Sequence, residues 1–353
     1  LDGDLLIVGG GDATLTADVL RAWFEELRRL GLREIGGNIL LDRGAFRLQP
    51  DDFAGTPAPS PRRPEHARPD AFSLRAAVPR LARSRPQQTQ LAVHGPEPAT
   101  SPLRETYGGG VAPGATPNLA ELALLAAGPA SSRTIAALWA RVGGVLRGRV
   151  VERKGEPEDG DAMPRDADGE RMLPFSVHHS ASLAELLRGI NKWSDNLAAR
   201  NLMLTLSEGF PLRAATLPDA KQRLRAWLAE QGLGEDDIAV DSGSGLSRAE
   251  RGRARALAQL LSHAWHRPGA DAFIDSLPVA GVDGTLTHRL QDGEAAGRAF
   301  LKTGTLNDAR ALAGYVQGRS GKRYAVVAIV NDLRARAAVP VLDAFIEWVA
   351  HNG

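Results

Sequence analysis

INKWSDN (residues 190–196) and LKTGTL (residues 301–306) are the two stretches that decide the fold of this chain. The first lies at a predicted junction between two helices, and the second lies in a predicted strand. Ser194-Asp195-Asn196 or Lys302-Thr303-Gly304 alone would occur by chance in about one chain of this length in twenty. The two tripeptides together, each in its own structural context, are far more specific.

Helical periodicity surrounds the first stretch. Ser182 is followed three residues later by Glu185, the pattern of a capping box, so a helix is predicted to begin there. Its predicted buried positions are Leu183, Leu186, Leu187 and Ile190. We expect Ser194 to cap the next helix, which runs through Met203. Two further helices are predicted at Pro218–Gln231 and Ala254–Trp265.

Alternating apolar residues surround the second stretch. They predict three antiparallel strands with tight turns, at Arg298–Thr303, Ala309–Gln317 and Tyr324–Asn331. Ser320-Gly321 is placed in the last turn, and a final helix is predicted at Val339–Val349.

The first half of the chain has weaker patterns. Strands are predicted at Leu5–Val8, Glu34–Asp42 and Leu146–Glu152, and helices at Thr16–Leu30 and Ser132–Val145. About half of the 22 prolines fall between Arg47 and Arg104, which indicates an irregular or short-stranded insert. Residues 156–171 are acidic and contain glycine, so an exposed loop is expected there.

Composition narrows the function classes. The chain has 353 residues, no cysteine and a net charge of +1. Disulfides and thiolate metal sites are excluded, and nothing in the charge suggests nucleic acid as a partner. Apolar runs are too short for a transmembrane segment.

The residue types in the two stretches suit an acyl-transfer site that binds a peptide carboxylate. Ser194 can relay a proton to a leaving nitrogen, and Asn196 can bind the substrate amide and hold a neighbouring lysine in place. Lys302 supplies positive charge, while Thr303 and Thr305 can donate hydroxyl hydrogen bonds to the carboxylate. At Gly304 the backbone can approach a ligand closely, and the strand can pair with an extended substrate.

Simpler interpretations stay open for several of these residues. Ser194 could be only a helix cap, Lys302 a solvated strand residue, and Trp193 either core or cleft wall. Asp283 and Asp308 fit turns better than acid catalysis.

Three other motifs favour structural roles. Residues 9–11 are three glycines that lack the spacing of a nucleotide-binding loop, so a turn is predicted. Residues 242–247 are rich in Ser and Gly and predict a structural loop. His178-His179 lacks a third ligand at helical spacing, so no metal site is predicted.

The sequence resembles the penicillin-binding protein 4 family of D-Ala-D-Ala carboxypeptidases and endopeptidases. The resemblance covers most of residues 1–46 and nearly all of 118–353. Besides the two opening stretches, it rests on four segments: Gly3-Asp4-Leu5 with GGGDATL (residues 9–15), IGGNI (35–39) with Leu41-Asp42, DSGSGLSR (241–248) and LPVAGVDGTL (277–286). It implies an α/β fold with a β-lactamase/transpeptidase-like domain, an antiparallel sheet flanked by helices, and inserted accessory domains. The implied boundaries are 1–46 and 115–165 for an accessory domain in two parts, 47–114 for a Pro-rich insert, and 166–353 for the transpeptidase-like domain.

Two departures from the family pattern stand out. No serine in the sequence has lysine three residues later, so the family's Ser-x-x-Lys nucleophile motif is missing. In the family this motif lies upstream of the segment that residues 1–15 resemble, so we expect the nucleophile either to lie outside this chain or to have been lost. In the insert, Arg63-Pro64-Glu65-His66 stands where the family often has an aromatic-Asn turn.

The resemblance implies a serine peptidase that needs no cofactor or metal and works in the periplasm or cell envelope. Its substrates would be peptidoglycan stem peptides ending in D-Ala-D-Ala, with β-lactams as inhibitors. Ser194, Asn196 and Lys302 are the predicted catalytic residues, and Thr303, Gly304 and Thr305 the predicted substrate-binding residues. The alternative is a non-catalytic protein that binds peptidoglycan or β-lactams. A nucleotide-binding protein using the loop at residues 9–12 is the third hypothesis.

Overall fold

A computed structural model describes residues 1–58, 66–74, 128–129, 132–153 and 173–353. Eight helices lie in these ranges: α1 Ala17–Arg29, α2 Ser132–Arg141, α3 Leu183–Trp193, α4 Asn196–Leu204, α5 Leu217–Glu230, α6 Ala254–Trp265, α7 Ala270–Ser276 and α8 Val339–Asn352. The strands of the first half are β1 Leu5–Val8, β2 Glu34–Ile35, β3 Ile39–Asp42, β4 Ser73–Leu74, β5 Gly128–Pro129, β6 Val145–Leu146 and β7 Val150–Glu152. Those of the second half are β8 Ile238–Ala239, β9 Arg251–Gly252, β10 Ala299–Leu306, β11 Ala309–Gln317 and β12 Arg323–Asn331. Most of the predicted insert and the predicted loop at residues 156–171 lie outside the described residues.

A parallel sheet with strand order β1-β3-β7 forms the core of the first half. Helix α1 begins at Thr16, whose hydroxyl accepts from the Val19 amide at 3.2 Å. Its apolar face packs with α2 against the sheet, and Phe24 meets Trp139 edge to face. The fully buried side chains of this core include Leu20, Phe24, Ile35, Ile39 and Trp139.

Each of two predicted strands is divided into two short strands, because another part of the backbone passes close to its middle. The predicted strand Glu34–Asp42 is β2 plus β3, and Leu146–Glu152 corresponds to β6 plus β7. Between the halves, a Cβ on Gly37 would lie 2.2 Å from the Asp4 carboxylate, and one on Gly148 would lie 2.4 Å from the Gly37 carbonyl. The backbones approach too closely there for a continuous pleat, so the prediction of unbroken strands was wrong.

The helical region contains one confirmed and one wrong prediction about caps. The capping box of Ser182 and Glu185 is present at the start of α3. The N-cap of α4 is Asp195, whose carboxylate accepts from the Ala198 amide at 2.9 Å. Ser194 instead ends α3 in the left-handed conformation.

Helix α3 buries less of its apolar face than predicted. Ile190 is 7% exposed, whereas Leu183 is 59% exposed. Leu186 and Leu187 are half-buried. Among the described residues nothing covers the first turn of α3, so the prediction that Leu183 is buried was wrong.

The C-terminal part is an antiparallel sheet, β10-β11-β12, covered by α8. Leu301 and Leu312 from the strands and Ile346 from α8 are fully buried between them. The Ser320-Gly321 turn is confirmed, with Gly321 at φ +82°. None of the helices in the described ranges is both long and apolar enough to cross a membrane.

Candidate active site

Ser194 sits at the junction of α3 and α4 with φ 56° and ψ 48°. This left-handed conformation is uncommon for a residue with a side chain. Because Asp195 does the capping of α4, the Ser194 hydroxyl is available for other contacts. It accepts a hydrogen bond from Lys302 Nζ at 2.8 Å. The interpretation of Ser194 as only a helix cap was therefore wrong.

Lys302 comes from β10 and is half-buried. Its ammonium also donates to the Thr303 carbonyl at 3.0 Å. Burial lowers the pKa of Lys302 to about 8, since leaving water disfavours the charged form. No carboxylate among the described residues forms an ion pair with it. Lys302 is thus not a solvated strand lysine but a desolvated cation beside a serine hydroxyl.

Thr303 completes the contacts on this side of the site. Its hydroxyl donates to the Thr285 hydroxyl at 3.0 Å. Gly304 and Thr305 follow on the exposed end of β10. A Cβ on Gly304 would lie 3.3 Å from the side chain of Ala311, its cross-strand partner on β11, so this tight contact lies on one face of the sheet.

The edge of β10 that faces away from β11 is paired before Lys302 and, within the described residues, open after it. Before it, the Leu301 amide donates to the Pro278 carbonyl at 2.8 Å, and Ala280 donates to Ala299 at 2.9 Å. Because alternate residues face the same edge, the backbone groups of residues 303 and 305 point the same way. In the described part of the chain, only the Lys302 ammonium bonds to them. An extended peptide can pair with this edge.

Asn196 starts α4 and is half-buried. Its predicted role of holding a neighbouring lysine is not met by Lys192, the nearest lysine in sequence. That ammonium donates to the Leu277 carbonyl at 2.5 Å and to Asp283 at 2.9 Å. The structure therefore brings together Ser194, Lys302 and Thr303 but gives Asn196 no lysine partner among the described residues.

Lys192 and Asp283 form a pair that the sequence did not predict, since Asp283 was expected to be a turn residue. Lys192 is 7% exposed. Its burial lowers its pKa, while the hydrogen bond and charge of Asp283 oppose that shift. The signal in the sequence was a lysine two residues before Ser194, but its partner lies 91 residues away.

The loop at residues 241–250 packs beside the strand end of the site. Its backbone is held by Glu250, which accepts from the amides of Ser242 and Gly243. Arg248 donates to Asp308 at 2.7 Å, and Asp308 lies in the turn between β10 and β11. The predicted structural loop is confirmed, and it also borders the site.

Three other expectations from the sequence concern the glycines at residues 9–11, Trp193 and metal binding, and the structure describes each of these regions. Gly9 packs against the Ala71 backbone, and the Gly11 amide donates to the Ala71 carbonyl at 2.8 Å, as expected for a turn. Trp193 is 45% exposed, so it does not belong to the core. In the described ranges, no three His, Asp or Glu side chains are grouped so that they could hold a metal ion.

A family model for the D-Ala-D-Ala carboxypeptidase 3 (S13) family matches residues 1–56 and 145–352. The chain belongs to this family. The predicted family and fold class are confirmed, and the family is one of serine-type peptidases that hydrolyse D-Ala-D-Ala peptides.

Curated relatives carry matching names. A D-alanyl-D-alanine carboxypeptidase of Actinomadura sp. (strain R39) is 29% identical over 99% of this chain and 70% of its own length. Carboxypeptidase DacB of Mycolicibacterium smegmatis is 31% identical over 54% of this chain, which spans 43% of that relative. The D-alanyl-D-alanine carboxypeptidase DacB of Haemophilus influenzae is 27% identical, and the match spans 33% of its length.

Solved structures show the same fold. Penicillin-binding protein 4 from Haemophilus influenzae matches with a TM-score of 0.64 at 21% identity, over 94% of this chain and 76% of that one. A predatory endopeptidase from Bdellovibrio bacteriovorus matches with a TM-score of 0.50 at 17% identity, over 98% of this chain.

Proposed function

We propose that this site binds peptidoglycan stem peptides ending in D-Ala-D-Ala and serves their cleavage by a serine acyl-enzyme mechanism in the cell envelope. The contact that carries the proposal is the 2.8 Å hydrogen bond between Lys302 Nζ and Ser194 Oγ. It joins the two motifs across 108 residues and links a cation to a hydroxyl that can relay a proton.

The charge state of Lys302 fits carboxylate binding. With a pKa of about 8, about nine-tenths of Lys302 is protonated at pH 7. The ammonium donates two of its three hydrogens to Ser194 and to the Thr303 carbonyl, so a terminal carboxylate beside it can accept the third. Such charge-assisted hydrogen bonds are the strong ones. Thr305 supplies a hydroxyl, the hydrogen-bonded pair of Thr303 and Thr285 supplies one further hydroxyl proton, and the edge of β10 supplies backbone groups for the peptide.

Acylation also needs a nucleophile, and the sequence contains no Ser-x-x-Lys. We place the nucleophile outside the 353 residues, with Ser194, Asn196 and Lys302 as its catalytic partners. The missing motif equally favours a second candidate, a protein that binds peptidoglycan peptides or β-lactams without being acylated. Both candidates predict reversible binding by this chain.

Reversible binding is tested with N-acetyl-D-Ala-D-Ala by calorimetric titration. We expect saturable binding that Lys302→Ala weakens about tenfold or more, since a charge-assisted hydrogen bond is lost. Lys322→Ala is the matched control, because Lys322 is an exposed lysine in the turn between β11 and β12 of the same sheet. Equal losses in both variants, or no binding by the unchanged chain, would rule out the proposed function.

Covalent labelling separates the chemistry from binding. Incubation with a fluorescent penicillin followed by denaturation should leave this chain unlabelled. A longer chain that includes Ser-x-x-Lys should be labelled, and Lys302→Ala should weaken that labelling. Label on the 353-residue chain would contradict the missing nucleophile, while an unlabelled longer chain would favour the binding protein.

A further inference from the structure

The segment 277–286, here called the bridging segment, touches both halves of the site. Its first part pairs with β10: Pro278 accepts from the Leu301 amide at 2.8 Å and Ala280 donates to Ala299 at 2.9 Å. This pairing ends one residue before Lys302. Its second part turns away from the strand and returns as a short 3-10 turn, Gly284–Leu286.

Three contacts fix the bridging segment, including its 3-10 turn, to the last turn of α3. The buried ammonium of Lys192 donates to the Asp283 carboxylate at 2.9 Å and to the Leu277 carbonyl at 2.5 Å. Gly284, at φ +58°, lies so close to α3 that a Cβ there would be 2.6 Å from the Lys192 carbonyl oxygen. The turn therefore has little freedom to move relative to Ser194, two residues beyond Lys192.

Thr285 is the exposed residue of this fixed turn. Its hydroxyl lies 3.0 Å from the Thr303 hydroxyl. Two hydroxyls in contact have two protons and use one of them between themselves. With Thr303 as the donor, the remaining proton belongs to Thr285 and is free for a ligand.

An anion is the ligand that these groups suit. Lys302 is adjacent in sequence to Thr303 and has no carboxylate partner among the described residues. A desolvated cation, a serine hydroxyl and the outward proton of a threonine pair then lie together beside an open strand edge. A peptide that pairs with this edge can bring its terminal carboxylate within reach of these groups.

We infer that Thr285 is a substrate-contacting residue that donates its hydroxyl to the terminal carboxylate of the bound peptide, with Lys192 and Asp283 as the pair that positions it. The inference rests on the proposed function and extends the carboxylate site from β10 to the bridging segment. The inference also accounts for the buried Lys192 beside Ser194, because the charge of Lys192 holds the 3-10 turn and does not bind the substrate.

The test compares N-acetyl-D-Ala-D-Ala with the same dipeptide ending in a carboxamide, by calorimetric titration of the full chain. Thr285→Val should weaken binding of the acid about tenfold and binding of the amide clearly less, because only the acid forms a charge-assisted hydrogen bond with the hydroxyl. Thr285→Ser keeps the hydroxyl and should retain most of the affinity for the acid.

Thr205→Val is the matched control outside the site. The Thr205 hydroxyl donates to the Leu202 carbonyl at 2.7 Å, at the end of α4. It should bind the acid as the unchanged chain does. A loss as large as that of Thr285→Val, or no effect of Thr285→Val while Lys302→Ala weakens binding, would overturn the inference. If the unchanged chain does not bind the acid, the proposed function itself fails.

The positioning pair is tested by a double-mutant cycle. Asp283→Asn should weaken binding of the acid, and adding Thr285→Val to it should cost little more, because the hydroxyl is already displaced. A merely structural Asp283 would lower the melting temperature and leave the two effects additive. Should Asp283→Asn fail to fold, the comparison of Thr285→Val with Thr285→Ser decides the role of Thr285.

Discussion

Lys302 and Ser194 show how much of the chemistry is set by single residues. The left-handed backbone at Ser194 turns the chain between α3 and α4, and the serine hydroxyl meets the ammonium of Lys302. Burial lowers the pKa of that ammonium to about 8, so its titration falls in a pH range where binding can be measured. A carboxylate ligand and a proton on Lys302 are then thermodynamically linked.

The first prediction concerns pH. Only protonated Lys302 attracts a carboxylate, so affinity for N-acetyl-D-Ala-D-Ala should be constant below pH 7 and fall as pH rises through about 8. Between pH 7 and pH 9 the loss should be about tenfold, as for one proton titrating with this pKa. Calorimetric titration across this range measures it.

Lys302→Arg serves as the control, because a guanidinium keeps its proton throughout the range. Its affinity, whatever its absolute value, should not fall between pH 7 and pH 9. A profile for the unchanged chain that is equally flat would contradict the assignment of Lys302 as the cation.

In the first half of the chain, glycines at a close approach of backbone segments determine where the strands break. Strand patterns alone predict continuous strands at 34–42 and 146–152, since Ile35, Ile39 and Leu41 have strand spacing. The breaks depend on the close approach of Gly37 to the backbone of residues 3–4 and of Gly148 to Gly37. Gly-Gly in the sequence marks a possible bend, but only the packed chains show that no side chain fits.

The second prediction follows from this close approach. Gly37→Ala should destabilise the fold by about 3 kcal/mol, because its Cβ would lie 2.2 Å from the Asp4 carboxylate and 2.8 Å from the Gly3 carbonyl carbon. Gly10→Ala is the matched control, since no atom lies within 4 Å of its Cβ position. Urea unfolding measures both, and similar midpoints for the two variants would show that the backbone segments are loosely packed there.

At the scale of the whole molecule, Arg200 joins three distant parts of the chain. It lies in α4 and is fully buried. Its guanidinium donates to the Ala67 carbonyl at 2.9 Å and to the Ser244 hydroxyl at 3.2 Å. Residues 66–74, the loop at 241–250 and the helix after Ser194 thus meet at one side chain. Burial lowers the pKa of Arg200, the charge of Glu250 opposes that shift, and the hydrogen bonds offset part of the cost of burying the guanidinium.

The third prediction is that Arg200→Ala destabilises the protein by about 3 kcal/mol or more. Buried acceptors lose their donor, and the missing side chain leaves a void. Arg223→Ala, on the exposed side of α5, should change stability by less than about 0.5 kcal/mol. Thermal unfolding compares the two, and equal effects would mean that Arg200 does not hold these parts together.

The sequence by itself determined the family and most of the local structure. The motifs at residues 194–196 and 302–304, the capping box at Ser182 and the three C-terminal strands all depend on patterns within a few residues. Caps, turns and periodicity are local interactions, so the order of residues is sufficient to predict them. The domain boundaries at 46, 114 and 165 and the catalytic roles stay predictions.

Only the tertiary structure decided how these motifs form a site. The contact of Thr285 with Thr303 joins residues 18 positions apart, and the pair of Lys192 with Asp283 joins residues 91 positions apart. The left-handed end of α3 at Ser194 was not predicted, because the sequence assigned the cap of α4 to Ser194 instead of its neighbour Asp195. Such contacts depend on which backbones pack closely and which charges lose water, and neither property is encoded in local spacing. The sequence names the residues of a carboxylate site, and packing decides which of them can touch the carboxylate.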